Sequence, residues 1–172
     1  MKELVLRTRN IHKSVEVAAL LSGVGMRLRT LADFPDAPDV IEDGTTCEAN
    51  AMKKAIAAAA HTGLMAVADD TGLIVDALDG RPGIYAARYA GEGATYEDNW
   101  RKLLREPEGV PQARRTARFV TAAAIAHPST LSVDVALGRR PESPGGIRAE
   151  REANGRAVEL VERLPRAPQI GS

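Results

Sequence analysis

Three groups of polar residues in the sequence carry the types and spacings that phosphate chemistry uses. In "AVADDTG", residues 66–72, Asp69 and Asp70 stand side by side at the end of an apolar run. Adjacent like charges repel, and a sheet end is a costly place to desolvate either. A metal ion or a basic group is therefore expected opposite them, the alternative being a solvated Asp-Asp-Thr-Gly turn. In Thr8-Arg9-Asn10-Ile11-His12-Lys13 a strand feeds a helix through a short polar turn. Free N–H groups at such a helix start, with its dipole, suit phosphate oxygens, and Lys13 lies within reach as a point charge. The glycines of a P-loop are missing, and an Asn N-cap followed by a solvated lysine explains the same residues. Thr46, Asn50 and Lys54, four apart, line one stripe of a helix, as many surface helices do. Carboxylates and basic groups gathered at strand ends are the parts of metal-assisted phosphate hydrolysis: Mg²⁺ on oxygen ligands, lysines on phosphates, and a base for water. Glu42, in a polar loop, is a candidate to complete a metal site.

These groups need elements to hold them. "LVLRT" (4–8) reads as a strand, and "NIHKSVEVAALLSG" as a helix with Asn10 as N-cap, Gly23 as stop, and a buried face of Val15, Ala18, Ala19 and Leu21. Residues 26–31 suit a second strand, followed by the Pro/Asp-rich loop "DFPDAPDVIEDG". Thr45 with Glu48 fits a capping box opening an alanine-rich helix that ends near Gly63. "LMAVA" is an apolar strand that Gly72 is expected to stop just beyond the aspartates, with strand character resuming in "LIVDAL". The stretch 77–91 is rich in turns. Thr95 with Asp98 caps a helix to Arg105, and "RRTARFVTAAAIAHP" with "TLSVDVAL" reads as a hairpin turning at His127-Pro128-Ser129. Alternating strands and helices followed by a hairpin predict a mixed sheet in an α/β domain.

Lys plus Arg (23) balance Asp plus Glu (23), so no bulk charge calls for nucleic acid or an anionic membrane surface. The single cysteine, Cys47, fits a reducing compartment, and the apolar runs are too short for a membrane span. The expectation is a cytoplasmic protein binding neither nucleic acid nor membrane. Asp70-Thr71-Gly72 resembles an aspartic-protease triplet, but that chemistry needs a carboxylate from each of two such turns, and the chain has one. After Leu137 the composition turns to Arg, Pro, Gly and Glu. This divides the chain into an α/β domain, 1–137, and a divergent segment, 138–172, partly helical or disordered. Natural divergence and an out-of-frame end both account for the change.

In order, these segments resemble the inosine triphosphate pyrophosphatase (Ham1-like) family. The resemblance runs from Leu4 to Pro128: Thr8, Asn10, Lys13 and Glu16; Thr46, Asn50, Ala51, Lys54 and Ala55; Ala68 to Gly72; Pro82, Gly83, Ala87, Arg88 and Tyr89; then Arg115, Ala117 and Phe119. It implies an elongated mixed β-sheet with flanking helices and a central cleft between two lobes, in a homodimer. It also implies Mg²⁺-dependent hydrolysis of noncanonical purine nucleoside triphosphates (ITP, dITP, XTP) to the monophosphate and pyrophosphate. Asp70 then matches the catalytic base and metal ligand, with Asp69 its acidic neighbour and Glu42 a second metal ligand. Thr8, Arg9, Asn10, Ile11, His12 and Lys13 match the phosphate-binding turn, assisted by Asn50 and Lys54, and Thr71 matches a substrate contact.

The chain departs from the family pattern at His12 and Cys47, which replace glycine and phenylalanine, and at Ala49, which replaces glutamate. No aromatic follows Phe119, no lysine follows Lys102 and no histidine follows His127, so the family's base-reading residues have no counterparts. These departures define two alternatives: a weak or inactive homologue that binds nucleotide or serves as a dimerising scaffold, and a phosphohydrolase for smaller phosphates.

Overall fold

A computed structural model of the chain describes residues 2–8, 15, 18–19, 25–111, 114–130 and 132–142. Its core is a mixed sheet. Strands β1 (Lys2–Arg7), β2 (Met26–Thr30), β3 (Met65–Val75), β5 (Ala117–Ala126) and β6 (Val133–Glu142) lie in the order β2-β1-β3-β5-β6, and a two-residue strand β4 (Pro82–Gly83) pairs with β3. β1 is parallel to β2 and β3, whereas β3, β5 and β6 run antiparallel. The late hairpin is present, and β6 continues across the compositional boundary at Leu137 to Glu142. The mixed α/β class is as the alternation of elements predicted.

The site depends on how β3 is paired. On one side β5 accompanies it from Ala66 to Val75. On the other, β1 stops at the Arg7–Ala68 pair and β4 begins at the Gly83–Leu73 pair. Between them, among the described residues, Asp69 to Gly72 face an open sheet edge. The expected stop at Gly72 is therefore wrong: β3 is one continuous strand of 11 residues. Gly72 serves close approach. A Cβ there would lie 3.1 Å from the Gly83 backbone and 3.2 Å from Cys47 Sγ, so the bare backbone lets β4 and the start of the helix over 47–62 crowd in.

Helix α1 (Cys47–Thr62) covers one face of the sheet. Ala51, Ala55, Ala58 and Ala59 pack on Val5, Ala66, Ala68, Ala122, Ala124 and Ala126, a seam of small side chains that brings the helix close to the strands. The N-cap is Thr46, one residue later than expected: its Oγ1 accepts from Ala49 N at 3.2 Å, and the residue three positions on is alanine, so no reciprocal capping box forms. Gly63, in the left-handed region at φ 68°, ends the helix as predicted.

The opposite face closes around Leu4, Leu6 and Val67. The helix expected over 10–23 falls mostly outside the described residues. Val15, Ala18 and Ala19 are helical but exposed, Val15 by 64%, so these three do not supply the buried face expected of them. Helix α2 (Tyr96–Arg105) has the Thr95–Asp98 capping box as read. Among the described residues no helix is long and apolar enough to cross a membrane.

Candidate functional site

A cavity of about 540 Å³ lies at the carboxyl ends of β1 and β2 and against the open edge of β3, where ligands of α/β sheets gather. Arg7, Thr8, Asp39, Glu42, Lys54, Asp69, Asp70 and Thr71 contribute to its walls. Adjacent strand residues point to opposite faces, so Asp69 and Asp70 diverge along the gap rather than stacking charge on charge.

Asp70 points to the α1 face. Lys54 Nζ stands 3.2 Å from Asp70 Oδ1 and 3.2 Å from Glu42 Oε1, one ammonium between two carboxylates. The side chains of Lys54 and Asp70 are only 12% and 11% exposed. One turn earlier on the helix, Asn50 Nδ2 donates to Asp70 Oδ2 at 3.2 Å, and Asn50 Oδ1 accepts from Gly44 N at 2.8 Å. The i, i+4 spacing of Asn50 and Lys54 thus delivers one donor to each oxygen of a single carboxylate. Asn50 is 1% exposed and is not among the cavity's wall residues: it ties the Glu42 loop to Asp70. Gly44 admits it, since a Cβ at that position would lie 2.5 Å from Asn50 Oδ1.

Thr71 pairs its hydroxyl with Thr121 Oγ1 at 3.0 Å. Thr8 is on the cavity wall, while Arg9, Asn10, Ile11, His12 and Lys13 lie outside the described residues. Buried Cys47 sits beneath Asp70; burial first, then the Asp70 charge, push its thiol up to about 11, so it stays protonated near neutral pH.

The residues suit a magnesium ion. Among the described residues no three acidic, histidine or cysteine side chains converge into a ready cage. Mg²⁺ does not require one, since it binds through one or two carboxylates plus substrate phosphates. Glu42 and Asp70, which share one cation in Lys54, could serve as such a pair.

Sequence reasoning assigned no site role to two arginines, although Arg88 belongs to one of the matched motifs. Arg7 Nη1 and Nη2 both donate to Pro38 O at 3.2 Å, pinning the acidic loop at the cavity wall. Arg88 Nη2 donates to Glu42 O at 3.1 Å. Arg7 ends a strand with the outline of a core segment, and nothing in the residue pattern showed that its side chain would turn to the loop.

Fold and site together define an α/β domain whose broken sheet edge opens onto carboxylates and an ammonium group suited to phosphate chemistry. The chain belongs to the Ham1 family, whose family model matches residues 4–155. The dITP/XTP pyrophosphatase of Geobacter sulfurreducens is 56% identical over 128 residues, 74% of this chain and 64% of that protein. The dITP/XTP pyrophosphatase of Geobacillus kaustophilus is 47% identical over 153 residues, 86% of this chain and 75% of that protein. The match thus spans less than two thirds of the Geobacter protein's length. Among solved structures, a HAM1 protein from Coxiella burnetii superposes with a TM-score of 0.75 at 33% identity, covering 83% of this chain and 73% of that one. A nucleoside-triphosphatase / dITP/XTP pyrophosphatase from Mycobacterium abscessus gives 0.72 at 34% identity, over 93% and 94%.

Proposed function

We propose that the chain hydrolyses noncanonical purine nucleoside triphosphates, dITP, XTP and ITP, to the monophosphate and pyrophosphate with Mg²⁺, as a cytoplasmic homodimer that cleans the nucleotide pool. The observation that carries this reading is the Glu42–Lys54–Asp70 cluster at the gap in β3. An ammonium and a pair of carboxylates in one cavity offer a place for both a polyphosphate and its cation.

In this reading Asp70 orients a water molecule toward the α-phosphorus and accepts its proton. Lys54, released from Glu42 as substrate enters, offsets charge growing on the phosphate oxygens, and Thr8 with the residues to Lys13 holds the rest of the polyphosphate. Asp69 adds an acidic wall on the other side of the strand, and Thr71 lines the floor. Bound Mg²⁺, held by Asp70 and Glu42, would draw electron density from the phosphate oxygens and stabilise departing pyrophosphate. Asn50 keeps the Asp70 carboxylate facing the cavity.

The test is pyrophosphate release from inosine, deoxyinosine, xanthosine and standard triphosphates with Mg²⁺. Preference for the noncanonical substrates, with a loss of at least about a hundredfold in Asp70→Asn, is expected. Orthophosphate release, or pyrophosphate release unaffected by Asp70→Asn, would overturn the reading. Tight binding without turnover would point instead to a silent nucleotide-binding homologue.

A further inference from the structure

Resting on Glu42 as a metal ligand, we propose that Arg88 is a positioning residue of the site, holding Glu42 opposite Asp70 from across the gap in the sheet. Arg88 ends a short 3₁₀ turn, Ala86–Arg88, that follows β4. Its Nη2 donates to the Glu42 main-chain oxygen at 3.1 Å, and its guanidinium sits over the Tyr85 ring, 5.0 Å from the centroid. It is not among the residues lining the cavity, and its contacts run to the loop and to Tyr85.

Side chains from outside the loop hold its backbone, beside ion pairs of Lys53 with Asp43 and of Lys54 with Glu42. Arg7 takes Pro38 O, Asn50 takes Gly44 N, and Arg88 takes the carbonyl of Glu42 itself. The side-chain pair of Glu42 with Lys54 is a weak substitute, because the Glu42 side chain is 37% exposed and such pairs add little hold. The turn bearing Arg88 is in turn fixed by α2. Asn99, 8% exposed, donates to Ala87 O at 2.9 Å and accepts from Ala90 N at 2.7 Å, bracketing Arg88. Lys102 donates to Tyr89 O at 2.8 Å. A helix with no residue among the cavity walls thereby braces a metal ligand through one arginine.

The experiment compares wild type with Arg88→Ala, Glu42→Gln and the double variant. It reads the Mg²⁺ concentration for half-maximal pyrophosphate release, Mg²⁺ affinity by calorimetry beside a non-hydrolysable triphosphate analogue, and thermal unfolding. Arg88→Ala is expected to weaken both metal constants about tenfold, with a much smaller fall in turnover at saturating metal, and to add nothing once Glu42 is Gln. Arg88→Lys, which keeps a cation over Tyr85 but loses the planar fork, is expected to weaken them in the same direction, and it serves if the alanine variant does not fold. Unchanged metal constants in Arg88→Ala and Arg88→Lys, or effects that add to Glu42→Gln, would overturn the proposal while leaving Glu42 as a ligand. Unchanged constants in Glu42→Gln would overturn the ligand assignment, and this inference with it.

Discussion

At the scale of residues, the site is one carboxylate served from two sides. Asp70 takes Asn50 on one oxygen and Lys54 on the other, and both donors come from consecutive turns of α1. Asn50 also receives the Gly44 amide, so a single buried amide fixes the Asp70 carboxylate and the acidic loop together. Two substitutions test this. Asn50→Ala leaves Gly44 N without its acceptor and is expected to cost on the order of 1–3 kcal/mol in urea unfolding. Gly44→Ala drives a methyl into Asn50 Oδ1 and is expected to cut pyrophosphate release at least about tenfold, with far-UV dichroism unchanged. Asp69 and Asp70 were legible in the sequence because adjacent charges ending an apolar run are unusual enough to notice, whereas Lys54 stood out only by its helical spacing and the family motif. Arg88 and Asn50 were not legible in their roles. Arg88 acts through a main-chain oxygen 46 residues away, and Asn50 joins the Gly44 amide to the Asp70 carboxylate, partners of which a linear pattern carries no trace.

At the scale of elements, α1 rests on the sheet through alanines on both surfaces. Such a seam has no slack, because a larger side chain meets backbone before it meets a yielding neighbour. Ala55→Leu, fully buried at the seam, is expected to lower stability by about 1–3 kcal/mol in denaturant unfolding. It should also weaken activity by lifting Lys54 and Asn50 away from Asp70. A stable variant with wild-type turnover would show that the seam tolerates displacement. The helices at 47–62 and 96–105 and the hairpin were readable from caps, alanine runs and alternation. The continuity of β3 was not. Gly72 has the outline of a breaker, and only the nearness of Gly83 and Cys47 gives it another purpose.

At the scale of the whole molecule, hydrogen-bonded surface carboxylates contribute to the dependence of stability on acid. The Thr116 hydroxyl, and next the Arg118 guanidinium, hold the Asp76 carboxyl below its ordinary value of 3.8. Thr95 does the same for Asp98, and the Thr30 amide for Asp33. A carboxyl lowered in the folded state contributes stability that is present above its unfolded value and lost as pH falls through the folded one. Unfolding followed from pH 6 to pH 2 should therefore show stability declining below about pH 4. Asp76→Asn should flatten that decline; an unchanged slope would show that the Asp76 contacts do not persist in solution.

The break between β1 and β4 has one more consequence. The width of the mouth is counted in residues of β3 that, among the described residues, lack a partner on the side opposite β5, four of them from Asp69 to Gly72. Pocket size in this architecture is thus a matter of strand length before it is a matter of side-chain identity. Lengthening β1 by one hydrogen-bonded pair would narrow the entrance as surely as filling it with bulky residues, and shortening it would admit a broader guest without touching Asp70 or Lys54.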